Sequence, residues 1–488
     1  MMIELNHVSF AYGSENAASA SEPCLRDVSL TVRDGEFLLL TGPSGCGKTT
    51  VLRLMNGLIP QFYPGELSGS VELDGADISG RELYDTANAV GTVFQNPRSQ
   101  FYNVDTTGEL AFGCENKGLP EDEIYARIDR AVAALRIEDL MDRNIFRLSD
   151  GEKQKIACAS VSVSGPSVIL LDEPSANLDH SSTLALRDII RQWKAEGKTV
   201  VAAEHRIAYL WDLIDRAVIM RDGRILRELE GEERDALSPS ALREMGLRST
   251  EQEAPESVPL PAVLPDGETI VLKDFHFSYR GKRRETVCIG ERKLSAGAIT
   301  AITGENGAGK TSFLNCLCGL EKRASGVMEY KGKTYDRKAR QKLCFLVMQN
   351  TGNQLFTESV LDEVLISLPK GTGRPEAQAK EILTRLDLGD FLDRHPQSLS
   401  GGQKQRLAIA CAVASGREIL LLDEPTSGLD YAHMAETAAL LRQLKARGIT
   451  ILVVTHDSEL IRACCDCKIT VEGAGHAECK HRSEPDPG

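Results

Sequence analysis

The stretch "TGPSGCGKTT", residues 41–50, decides the reading of this chain, and it returns as "TGENGAGKTS" at 303–312. Both copies contain the pattern G-x-x-x-x-G-K-[ST], as GPSGCGKT (42–49) and GENGAGKT (304–311). Glycines let successive backbone N–H groups curl around a phosphate, and the helix that follows offers its positive end to the anion. The pattern assigns Gly42, Ser44, Gly45, Gly47, Lys48, Thr49 and Thr50 to a nucleotide in the first copy. It assigns Gly304, Asn306, Gly307, Gly309, Lys310, Thr311 and Ser312 in the second. Lys48 and Lys310 would reach the β- and γ-phosphates, and Thr49 and Thr311 would ligate Mg²⁺.

The repeat extends well beyond these loops. "LLDEP" stands at 170–174 and at 421–425, and "FRLSDGEKQKIA" (146–157) has a near copy in "QSLSGGQKQRLA" (397–408). Ser149 to Asp172 and Ser400 to Asp423 are both 23 residues, and Asp172 to His205 and Asp423 to His456 are both 33. Lys48 to Gln95 is 47 against 39 for Lys310 to Gln349, which predicts a longer loop around "IPQFYPGEL" (59–67). One domain has been duplicated. The boundaries expected are 1–247, a Pro/Glu-rich extended linker over 248–267, a second domain over 268–475, and a disordered tail over 476–488.

In "VILLDEP" and "ILLLDEP" the apolar run predicts a buried strand. Asp172 and Asp423 at its end suit Mg²⁺, and Glu173 and Glu424 beside them suit polarisation of an attacking water. "IELNHVSFAY" (3–12) and "TIVLKDFHFSY" (269–279) read as strands, while Ile124, Ile128, Val132 and Leu135 form one helical apolar stripe. The class expected is α/β, strands alternating with helices around a mostly parallel sheet.

Composition narrows the function. The 488 residues carry a net charge of -14, which gives no basic field for nucleic acid. No apolar run approaches the roughly 18 residues that span a bilayer, and the start lacks a secretory pattern, so membrane contact is expected only through partners. Thirteen cysteines show no regular framework and read as reduced thiols of a cytosolic protein. Cys464, Cys467, Cys479 and His481 resemble a zinc set in spacing, but Cys467 repeats the position of Arg216 before a strand, which favours the plain structural reading.

Phosphate loop, glutamine, L-S-G-G-Q-like segment, Asp-Glu and histidine, in that order and twice, resemble the ATP-binding-cassette (ABC) ATPases. The resemblance implies that each half is a P-loop ATPase with an antiparallel β subdomain and a helical subdomain. It further implies that Tyr12 and Tyr279 stack on adenine, and that Gln95 and Gln349 sense Mg²⁺ and the nucleophilic water. His205 and His456 would contact the γ-phosphate. Ser149 with Gly151, and Ser400 with Gly402, would present a hydroxyl and an N–H to ATP held by the opposite half in a head-to-tail pair. Asp150 stands where the second copy has Gly401. Its charge would slow the site it completes only if the side chain points at the triphosphate rather than at solvent.

The contexts "FQNPRSQFYNVDTTGELAFG" (94–113) and "MQNTGNQLFTESVLDEVLIS" (348–367) are similar to the glutamine loops of energy-coupling-factor (ECF) transporter ATPases. That resemblance implies a peripheral subunit on the cytoplasmic face of the membrane, driving a transmembrane T-component and a substrate-capturing S-component with Mg²⁺ and ATP. Thr351 departs from the pattern's proline. Glu109, Asp362 and Glu363 read either as solvated loop charges or as partners for arginines of the T-component. A fused sugar-importer ATPase and a soluble non-transport ABC ATPase are the alternatives; the acidic linker and the absence of a cationic block count against the latter.

Overall fold

The computed structural model describes residues 1–13, 22–264, 267–280 and 285–472; Cys479, His481 and the expected tail lie outside them. The chain divides into two compact units. One comprises Met1–Gln252 with Gly428–Ala432, the other Glu253–Ser427 with the chain from His433 on.

In the first unit, β1 (Ile3–Tyr12), β2 (Leu25–Val32), β4 (Gly65–Leu73) and β5 (Ala76–Asp77) form an antiparallel sheet in the order β2-β1-β4-β5. A second sheet runs β10-β9-β3-β8-β7-β6, from β3 (Phe37–Thr41), β6 (Val90–Val93), β7 (Val168–Asp172), β8 (Thr199–Ala203), β9 (Arg216–Arg221) and β10 (Arg224–Glu230). Its pairings are parallel except at the β9–β10 hairpin. Strands β3, β7 and β8 are buried at every residue, which is why their sequences are unbroken apolar runs rather than alternations.

Helix α1 (Lys48–Met55) follows β3, and α2 (Thr106–Asn116), α3 (Glu121–Leu135) and α4 (Asp150–Ser164) build a helical layer. The stripe Ile124, Ile128, Val132 and Leu135 is buried, and it joins Ile156, Ala157, Ile189 and Trp193 in one core. Five of the eight extra residues precede the β4–β5 turn, where the first unit has a helical turn, Leu58–Gln61, and a nine-residue β4, and the other three follow that turn, so the extra length is only partly a loop.

The second unit repeats the plan. Strands β11 (Thr269–Phe277), β12 (Val287–Ser295), β14 (Val327–Tyr330) and β15 (Lys333–Tyr335) are antiparallel. Strands β16 (Cys344–Val347), β17 (Ile419–Asp423), β18 (Thr450–Val454), β13 (Ile299–Thr303) and β19 (Cys467–Thr470) form the parallel sheet in that spatial order. Helices α5 (Lys310–Cys318), α8 (Gly401–Ala414) and α9 (Ser458–Cys464) pack on it, and α6 (Val360–Leu365) and α7 (Pro375–Arg385) pack on α8.

Where the first unit pairs β9 with β10, the second offers β19 a different cover. Lys468 N donates to Pro261 O at 2.9 Å, and Lys468 Nζ reaches the carbonyls of Glu256 and Val258. Val258 is buried against Ala301 and Ile461, and Glu253 pairs with Arg462. The Pro/Glu-rich segment is therefore a strap on an edge strand whose backbone groups would otherwise lie open.

Candidate functional site

Each phosphate loop lies between a buried strand and a helix: β3 and α1 in the first unit, β13 and α5 in the second. Gly42 has φ +147, and a Cβ there would sit 2.1 Å from Met220 O; at Gly47, with φ +104, it would sit 2.5 Å from Leu25 Cδ2. No other residue fits either place. Ser44, Gly45, Asn306 and Gly307 occupy the loop between, and Gly304 and Gly309 repeat the left-handed angles of Gly42 and Gly47. Lys48 Nζ donates to Gly42 O (3.1 Å) and Pro43 O (3.3 Å), and Lys310 Nζ to Gly304 O (2.7 Å) and Glu305 O (2.9 Å). Both ammonium groups are thus parked on their own loops.

The carboxylates gather at the same strand ends. Thr49 Oγ1 donates to Asp172 at 2.9 Å, and Thr311 Oγ1 to Asp423 at 2.8 Å. Burial, with Glu173 beside it, pushes the Asp172 carboxyl up to about 6 against the opposing Thr49 bond. Burial raises Asp423 as well. A buried carboxylate beside a hydroxyl is an all-oxygen donor set, which fits a hard divalent cation such as Mg²⁺.

Glu173 and Glu424 both adopt left-handed backbone angles, φ +44° and +49°, a strain of order 1 kcal/mol for non-glycine residues. The turn aims each carboxylate back across its strand end. Glu173 meets His205 Nε2 at 3.1 Å and Gln95 Nε2 at 2.8 Å. Burial works to raise its carboxyl, but His205, Lys48 and Gln95 together outweigh it and hold the group low. His205 Nε2 is also 3.2 Å from Lys48 Nζ, and Glu424 lies 3.4 Å from His456 Nε2. Gln349 stands two residues past β16, as Gln95 stands two past β6.

Tyr12 OH lies 3.2 Å from Thr50 Oγ1, and Tyr279 OH 3.1 Å from Ser312 Oγ, so each aromatic is tied to its phosphate-loop helix. Arg53 donates to Tyr12 OH at 3.0 Å and lies over Tyr63, which the eight extra residues supply.

Ser149 and Ser400 are the N-caps of α4 and α8. Each sits in a complete capping box, closed by Glu152 and Gln403 respectively, with Gly151 and Gly402 in the first helical turn. Glu and Gln at this position do the same mechanical work. The Asp150 carboxylate meets Arg98 Nη2 at 3.1 Å and Lys153 Nζ at 3.4 Å.

One expectation is corrected. Glu109 and Glu363 are buried at 2% and 3% exposure, and each accepts two backbone N–H groups: Tyr102 and Asn103, and Phe356 and Thr357. They organise the loop after each glutamine through one carboxylate oxygen and lie buried beneath it, so they are not surface charges offered to a partner's arginine. Asp362 is exposed and takes a bond from Ser359 Oγ at 2.6 Å.

Two features escaped the sequence. Glu204 lies directly before His205 and is 2% exposed; it accepts from His205 N (2.8 Å), Arg206 N (3.2 Å), Ser175 N (3.1 Å), Ser175 Oγ and Tyr209 OH (3.0 Å). In the second unit the acid stands on the other side of the histidine: Asp457 takes Thr426 Oγ1 at 2.8 Å and caps α9. Laying "EHR" (204–206) over "THD" (455–457) would have exposed the exchange. Arg98, within the glutamine loop, is the other. Of the cysteine set, Cys464 and Cys467 are buried and bond to Leu460 O and Ser295 Oγ. Among the described residues, no helix is long and apolar enough to cross a membrane.

Comparison with known proteins gives the family. The profile of the family described as "ABC transporter" matches residues 25–176 and 291–427. A protein of Treponema denticola named "Putative ABC transporter ATP-binding protein" is 41% identical over 479 residues, covering 97% of this chain and 96% of its own length. "Putative HMP/thiamine import ATP-binding protein YkoD" of Bacillus subtilis is 31% identical, covering 98% of this chain and 91% of its own. In fold, the chain resembles one from the complex of archaeal ribosomal stalk protein aP1 and ribosome recycling factor aABCE1. The TM-score is 0.60 at 24% identity, over 91% of this chain and 84% of that one, a likeness of fold alone.

Proposed function

Because the chain belongs to the ABC transporter family as a tandem ATP-binding protein, we propose that it is the ATP-hydrolysing motor of an ECF-type importer. It would lie at the cytoplasmic face of the membrane and drive T- and S-components that take up a vitamin or metal ion. The observation that carries the transport reading is a pair of matching loops after Gln95 and Gln349. Gln100 closes the first on Phe94 N at 3.2 Å and Gln354 the second on Met348 N at 3.1 Å. Glu109 and Glu363 then pin the backbone, which leaves Tyr102 and Phe356 at 77% and 76% exposure. Ordered loops that hold a large apolar ring in solvent are interaction surfaces, and each half has one. This explains the second glutamine of the Q-N-x-x-x-Q spacing in physical terms, while the apolar residue after it, Phe101 or Leu355, packs inward. The thiamine-import name of the Bacillus subtilis relative supports the same reading.

In turnover, Lys48 and Lys310 leave their loop carbonyls for the β- and γ-phosphates, and the glycine N–H groups cradle the anion. Tyr12 and Tyr279 stack on the base. Thr49 with Asp172, and Thr311 with Asp423, would hold Mg²⁺, aided by Gln95 and Gln349. The ion's contribution is charge neutralisation on the transferring phosphoryl group. Glu173 and Glu424 orient and deprotonate water, and His205 and His456 meet the γ-phosphate. Ser149, Gly151, Ser400 and Gly402 contact nucleotide in the ATP-bound state. Lys48→Ala with Lys310→Ala is expected to abolish Mg²⁺-dependent hydrolysis by the purified chain; wild-type activity in that variant would refute the site assignment. Tyr102→Ser with Phe356→Ser is expected to release the chain from its membrane complex. Unchanged co-purification with a T-component would refute the docking.

A further inference from the structure

The two units fasten the glutamine loop to the helix that starts at Ser149 or Ser400, and they do it with different chemistry. In the first unit, Asn96 caps the turn Pro97–Ser99 by accepting from Arg98 N at 3.1 Å. That turn carries the Arg98 guanidinium to Asp150, the first residue of α4, at 3.1 Å. Lys153 joins from the next turn at 3.4 Å; its side chain is 6% exposed, and Nζ also donates to Leu148 O at 2.6 Å. Repeat spacing puts Gly352 at the position of Arg98 and Gly401 at that of Asp150, so neither charge has a counterpart. The second unit closes the same gap with Gln397, whose Nε2 donates to Gly352 O at 2.8 Å and Leu355 O at 3.0 Å. The residue at that position in the first unit is Phe146, which is 74% exposed and has no such amide to give. Each unit therefore carries one latch and lacks the other's parts.

We propose that Arg98 with Asp150, and Gln397, are alternative positioning latches. Each holds a glutamine loop to the helix behind the Ser-Gly cap, and the first is ionic while the second is neutral. The proposal rests on the ATPase reading above. Gln95, three residues from Arg98, touches Glu173 at 2.8 Å, so slack in the loop reaches the catalytic carboxylate. Arg98 and Asp150 touch no substrate; they act through Gln95 and Ser149. The chemical difference sets the physical one. Ion pairs at partly exposed positions weaken as salt shortens the screening length, whereas an amide-to-carbonyl bond does not. The second unit's latch is indifferent to ionic strength, and the first unit's is not.

The test transplants one latch into the other unit. Steady-state ATPase activity of the full chain is measured at about 0.05 M and about 0.5 M salt, where the screening length shrinks several-fold. Amide hydrogen exchange over residues 95–104 is followed in parallel. Arg98→Gly is expected to lower kcat two- to fivefold at low salt with KM unchanged, to abolish most of the salt dependence of kcat, and to speed exchange over that segment. Gln397→Ala is expected to lower kcat similarly while the salt dependence survives. The triple variant Arg98→Gly, Asp150→Gly, Phe146→Gln imports the neutral latch. It is expected to recover both kcat and slow exchange, now independent of salt. A merely structural pair would not be rescued by glutamine four positions away on the other side of the cap. The proposal is overturned if Arg98→Gly leaves kcat, salt profile and exchange at wild-type values, or if the triple variant is no better than Arg98→Gly alone. Exchange needs no turnover. Latch-dependent exchange in a chain without ATPase activity would refute the ATPase reading and spare the latch.

Discussion

Glu204→Gln removes one oxygen and one charge from a buried side chain that accepts five hydrogen bonds. The carboxylate accepts from His205 N and Arg206 N on one oxygen, and from Ser175 N, Ser175 Oγ and Tyr209 OH on the other. A glutamine keeps a single acceptor. Its best placement gives the amide oxygen to His205 N and Arg206 N and turns the NH₂ toward Ser175 and Tyr209. Both hydroxyls can reverse and accept, but Ser175 N cannot, and it is left facing another donor. An unmade bond at a buried N–H costs about 1–3 kcal/mol, and the remaining bonds lose their charge assistance. Relief of the buried charge offsets part of this, and about 2–3 kcal/mol of destabilisation remains. The assay is built into the sequence. The chain has two tryptophans, Trp193 and Trp211, and both belong to the first unit's core, so tryptophan fluorescence during urea unfolding reports that unit alone. With an m-value of about 2–3 kcal/mol/M, the midpoint should fall by about 1 M. Tyr209→Phe takes away one donor and leaves the charge, so it should cost clearly less. A Glu204→Gln midpoint equal to wild type, or a Tyr209→Phe loss as large as that of Glu204→Gln, would refute the hub.

The same fluorescence assay tests Asp172. Its carboxyl is pushed up to about 6 in the fold against an ordinary 3.8, so the native state binds this proton more tightly than the unfolded chain. That contribution is present below pH 4 and is lost as pH rises through 6, about 3 kcal/mol in all; Asp172→Asn should therefore stabilise the nucleotide-free chain at pH 8 and not at pH 4. Arg216 and Glu36 form a pair at 2.8 Å with 6% and 4% side-chain exposure, so Arg216→Leu should cost about 3–5 kcal/mol by stranding Glu36; joint replacement of both by apolar residues should cost much less. Glu109→Gln with Glu363→Gln should speed amide exchange at 102–103 and 356–357, because the one oxygen that accepts both N–H groups loses its charge, and should weaken co-purification with the membrane partner.

The chemistry-bearing pieces were legible in the sequence because each is made locally. A phosphate loop needs glycines at fixed offsets, a strand and a helix, and residues 37–55 contain all of them. The apolar runs at 168–172 and 419–423 announce strands buried on both faces, and the spacing from Asp172 to His205 carries the fold's layout without stating any contact. Period and spacing say which face is buried and how far along a residue lies. They do not say which loop arrives opposite it. Glu109 and Glu363 read as loop charges, yet both are closed acceptors, because backbone N–H groups six or seven residues earlier turn back onto them. Pro and Glu at 253–261 read as an unpatterned linker, but β19 has an unpaired edge and the segment covers it, a need visible only once the sheet is assembled. Arg98 meets Asp150 across 52 residues and Glu204 meets Ser175 across 29. Such meetings depend on how loops converge at the strand ends, so tertiary packing decided them: burial made an open polar group costly, and the nearest complementary partner in space answered it.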